Sequence, residues 1–125
     1  VSASEIDPKE SSTDSLALMR TVDEEVAHMW MVRTFLKHSD EAREDEELAE
    51  VHRELYDFML ALGPALAAND AAEYLRIARK KFPKARQAAE LFVEIQPEVS
   101  GHMNFQMAAR SLTKCVAALR RLLEK

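Results

Sequence analysis

Val22-Asp-Glu-Glu-Val-Ala-His-Met-Trp-Met-Val-Arg-Thr-Phe-Leu-Lys-His38 is the stretch that decides the fold. On a helix turning about 100° per residue, Val22, Val26, Met29 and Leu36 form one stripe. Ala27, Met31 and Phe35 form a second stripe on another side. A helix that is apolar on two sides is usually buried on two sides. This one therefore needs partner helices on one flank, and a further helix or a second copy of the protein on the other.

The rest of the chain supplies the partners. Leu48, Val51, Leu55, Phe58, Met59, Leu62 and Leu66 recur at three-four spacing and predict a second helix. Tyr74, Leu75, Ala78, Phe82, Ala85, Ala89, Phe92 and Ile95 predict a third. Phe105, Ala109, Leu112, Val116, Leu119 and Leu123 predict a fourth. Asp40, Asp70 (with Glu73 in a capping-box spacing) and Ser100 are the expected N-caps. Gly63-Pro64 stops or kinks helix two, Pro83 kinks helix three and Pro97 ends it. Residues 1–13 are polar and Ser-rich and read as a flexible leader.

These signals predict an all-α fold, an antiparallel up-down-up-down four-helix bundle over 14–125. Its helices are expected at about 14–38, 41–68, 71–96 and 100–124. Two glycines and four prolines in 125 residues agree with helices rather than strands.

The net charge of −5 argues against generic binding to nucleic acid or to an acidic membrane surface. No apolar run reaches the roughly 18 residues of a transmembrane helix. Cys115 is alone, so no intrachain disulfide can form, and a reducing cytoplasm is the expected location. The chain begins at Val1 rather than Met, which leaves room for a removed signal or an upstream domain.

Catalytic motifs are missing. The glycines at 63 and 101 stand alone and cannot build a phosphate loop. Cys115 has no adjacent motif and reads as a buried inert thiol. The chain therefore leans away from an enzyme.

Glu25-Val-Ala-His28 has the Glu-x-x-His spacing used by di-iron bundles. With His52 and His102 on apolar faces, it gives a candidate ligand set of Glu25, His28, His52 and His102 for iron, zinc or manganese. Fifteen glutamates in 125 residues make one such match ordinary by chance, and no second one occurs. Hydrogen-bonded core histidines are the plainer reading.

Arg33 projects from the first stripe as a buried charge. It needs a partner, for which Glu25, Glu54 and Asp57 are candidates; without one it becomes the centre of a small-anion site. Six basic residues and no acid lie between Arg76 and Arg86, but they point all round the helix with no interleaved aromatic. Seven carboxylates crowd positions 40–50 and suit a solvated helix start.

The first functional expectation is a non-enzymatic interaction or scaffolding module that forms a homodimer through helix one, with Ala27, Met31 and Phe35 at the interface. A metal-binding bundle, and a small-anion bundle around Arg33, are the alternatives.

Overall fold

The structure, a computed structural model, describes residues 8–124. Over these residues it is all-helical, with α1 (Pro8–Lys37), α2 (Glu41–Glu44), α3 (Glu46–Ala67), α4 (Ala71–Val99) and α5 (Met103–Leu123). None of the helices is long and apolar enough to cross a membrane.

Helix α1 packs against α3, α4 and α5, α4 against both α3 and α5, and α2 against α3. Particular contacts set the register. The Cys115 thiol donates to the Glu25 carbonyl at 3.1 Å, while the Phe35 and Phe105 rings meet edge-on with centroids 5.1 Å apart. Lys84 pairs with Glu54, and Phe58 lies against Phe82. The Tyr74 hydroxyl donates to Asp23 at 2.8 Å and ties α4 to α1. Burial, and then the Asp23 carboxylate, push the Tyr74 pKa far above the ordinary phenol value.

The core is built from the apolar stripes. Val22, Val26, Met29 and Leu36 are buried, joined by Met19 and Val32. Leu48, Leu55, Tyr74, Phe92, Leu112 and Leu119 are sealed from solvent. Leu66, expected in the core face of α3, is exposed, and Ala65 takes the inward position.

Helix ends depart from expectation in several places. Helix α1 takes in residues 8–13, which the sequence assigns to a leader; residues 1–7 of that leader lie outside the described residues. The single helix expected over 41–68 is broken at Asp45, whose backbone is extended. Two acidic residues compete for the capping role there, and Asp45 takes it by accepting from the Leu48 amide. Asp40 makes no capping bond, because the Ser39 hydroxyl accepts from Ala42 instead.

Asp70 caps α4 as expected, but Glu73 pairs with Arg76 rather than completing a box. Helix α3 closes with Asn69 at φ 55°, a left-handed position that asparagine tolerates. The Asn69 and Asp70 amides then bond back to Leu66 and Ala65, satisfying its last carbonyls.

Pro97 does not end its helix. Pro64, Pro83 and Pro97 all lie inside helices on exposed faces, where water can satisfy the carbonyls they free. Helix α4 runs on to Val99, so Ser100 closes α4 rather than opening α5. The cap of α5 is His102, whose Nδ1 accepts from the Asn104 amide at 3.0 Å.

Candidate functional site

Two faces of α1 carry the candidate chemistry: Met31 and Arg33 point nearly opposite ways, and Trp30 lies between them. On the outer face Met31 is 67 % exposed and Trp30 42 %, with Ala27 exposed one turn earlier. Phe35, expected to share that face, is half-buried against Phe105 instead. Phe35 lies about 40° round the helix from Met31, and that offset takes its ring to Phe105 on α5.

The inner face holds Arg33, which is only 7 % exposed. Its guanidinium carbon lies 4.1 Å from the Tyr56 ring centroid and 5.3 Å from that of Trp30. The two rings stand 5.8 Å apart and tilted, so the cation has an aromatic face on each of two helices. No carboxylate pairs with it among the described residues: Glu54 bonds Lys84, Asp57 is exposed, and Glu25 lies by Cys115 toward α5.

A desolvated cation–π contact is worth about 2 kcal/mol. The effective cost of burying one ion is several kcal/mol. The aromatic faces therefore offset only part of the cost of enclosing Arg33.

His52 faces the same seam from α3. Its Nδ1 is enclosed without a hydrogen-bond partner, as are Arg33 Nε and Thr34 Oγ1. Burial, and then the positive charges of Arg33, Arg53 and Lys37, hold its pKa below the ordinary imidazole value. That shift favours the uncharged imidazole.

The structure does not bring the four expected metal ligands together. Glu25 and His28 line one surface depression of about 410 Å³ with Cys115 and Lys114, and His28 is exposed rather than inward. His52 sits in the α1–α3 seam, while His102 is spent as the cap of α5. Among the described residues no three histidine, cysteine or acidic groups are placed to hold an ion.

Burial pushes the Cys115 thiol up to about 12, with the Glu25 carboxylate adding to the shift. The thiol is therefore expected to stay unreactive toward a chromogenic thiol reagent at about pH 8 in the folded protein and to react fully on unfolding. A native rate equal to the unfolded one would contradict this placement.

The basic stretch over 76–86 is largely spent within the molecule. Arg76 pairs with Glu73, Lys84 with Glu54 and Arg86 with Glu90, while Arg79 Nε donates to the Leu123 carbonyl at the end of α5. That last contact places a cation on the negative end of a helix. Small residues on α4 and α5 also leave a long surface groove of two joined depressions, about 720 and 500 Å³, that share Val93, Thr113 and Ala117.

Helical spacing alone makes Trp30 and Arg33 neighbours, three residues apart on α1. Tyr56 is the member of this cluster that sequence reasoning missed, because its place depends on how α3 slides against α1. Comparisons of the chain with family models, with curated proteins and with solved structures find no match.

Proposed function

We propose that α1, α3, α4 and α5 form an antiparallel up-down-up-down bundle and that the protein is a non-enzymatic interaction module, pairing with a second copy through α1. The observation that carries this reading is Met31, 67 % exposed in the C-terminal part of α1. The exposed Trp30 and Ala27 extend the surface on the same helix. Removing a methionine side chain from water stabilises by about 1.5–3 kcal/mol, and a two-fold contact counts it once from each copy.

The antiparallel arrangement is supported by the paired positions: Glu25 with Cys115 and Phe35 with Phe105 run in opposite senses, as do Glu54 with Lys84 and Phe58 with Phe82.

Met31→Glu tests the reading. An exposed substitution of this kind is expected to change monomer stability by no more than about 0.5 kcal/mol. Across a two-fold contact it sets two carboxylates against each other, so the dissociation constant is expected to rise at least about tenfold. Sedimentation equilibrium measures it; a variant that associates as tightly as the native chain counts against α1 as the interface.

A further inference from the structure

We infer that the α1–α3 seam binds a small oxyanion at the Arg33 guanidinium, beside the Trp30–Tyr56 ring pair. Arg33 is more than nine-tenths buried, and its Nε–H has no acceptor. Two further buried polar atoms lack partners in the same stretch of α1 and α3. Thr34 Oγ1 comes from the next residue of α1, and His52 Nδ1 from α3, one helical turn before Tyr56.

All the charges that act on His52 from the two helices are positive: Arg33 and Lys37 from α1, and Arg53 from α3. Among the described residues the seam thus offers the Arg33 Nε–H neither a balancing carboxylate nor a hydrogen-bond acceptor. An oxyanion supplies both the charge and the acceptor. The planar guanidinium fork engages two oxygens of a carboxylate or phosphate group. The Thr34 hydroxyl can donate to the same group, and so can a neutral imidazole protonated at Nδ1. The close packing of the two rings against the guanidinium restricts the ligand to a small one.

A water molecule would satisfy the polar atoms and leave the charge uncompensated. Arg33 and Met31 point nearly opposite ways on α1, but Trp30 borders both this site and the surface proposed for self-association, so the titration below is repeated on Met31→Glu, where the response is expected to persist.

The chain has a single tryptophan, and it is a wall of the site. Trp30 fluorescence of the full chain is therefore the direct readout, titrated with sodium phosphate, with sodium acetate, and with sodium chloride at matched ionic strength. The expected result is a saturable change with phosphate or with acetate that chloride does not give, and the responding salt tells which oxyanion class the site takes.

Arg33→Met is expected to abolish that response. Thr34→Val should weaken it about tenfold, the loss of one hydrogen bond to a charged group. The same oxyanion should raise the thermal midpoint of the native chain and leave that of Arg33→Met unmoved. The inference is overturned if phosphate and acetate only reproduce the chloride curve, or if Arg33→Met keeps both the saturable signal and the shift in midpoint.

Discussion

Phe92→Ala is expected to lower the free energy of unfolding by about 3–5 kcal/mol, the range for truncating a buried phenylalanine. Phe92 is fully sealed, and it lies on α4, the helix that packs against α1, α3 and α5 together. A cavity there removes contacts from the junction of the core, where close packing leaves the neighbouring side chains little freedom to collapse. Domains of this size are stable by only about 5–15 kcal/mol, so the loss is a large fraction of the whole. Urea unfolding followed by circular dichroism measures it. A loss below about 1 kcal/mol would mean that α4 does not occupy the centre of the core.

Arg33→Met is expected to act in the opposite direction. Methionine keeps most of the length of the side chain and its contact with Trp30 and Tyr56, while it removes a buried charge that no carboxylate balances. Replacing buried ionic groups with apolar ones of similar volume is often neutral or stabilising by about 1–4 kcal/mol. After allowing for the lost cation–π contact, a gain of about 1–2 kcal/mol is expected. The measurement belongs in chloride buffer, free of phosphate and carboxylates, so that no ligand stabilises the native chain. A loss of about 3 kcal/mol or more would show that the guanidinium is strongly paired in the folded protein.

The same substitution removes one of the positive charges that depress the His52 pKa, which should then rise toward its ordinary value. Retaining an under-compensated charge at a cost in stability is the pattern expected where a residue serves a binding role rather than the fold.

Helical periodicity made the core legible. The positions at 48, 51, 55, 58, 59 and 62 are buried as their spacing indicates, and so are those at 74, 75, 78, 82, 85, 89 and 92. Helix ends were less legible where neighbouring residues offer rival caps. Ser39, Asp40 and Asp45 all can cap, and which one does depends on where the backbone turns extended. The same competition set Ser100 against His102, and histidine is not a preferred N-cap type.

The site divides the same way. That Arg33 turns inward follows from the helical wheel, but what it meets does not. Glu25, Glu54 and Asp57 were each within reach by sequence, and the alignment of α1 with α3 gave it Tyr56 instead. His28 shows the limit of a spacing motif. Glu25 and His28 do share a helix side and a depression, yet that side faces solvent beside α5 rather than the other histidines.

The mass of the native chain in solution at micromolar concentration, measured by light scattering, tests the central claim most directly. Self-association through α1 predicts twice the mass of one chain, falling to that of a single chain in Met31→Glu with the helical content unchanged. A native chain that scatters as a monomer across that range would contradict the account, and would leave the exposed Met31 without the partner surface proposed for it.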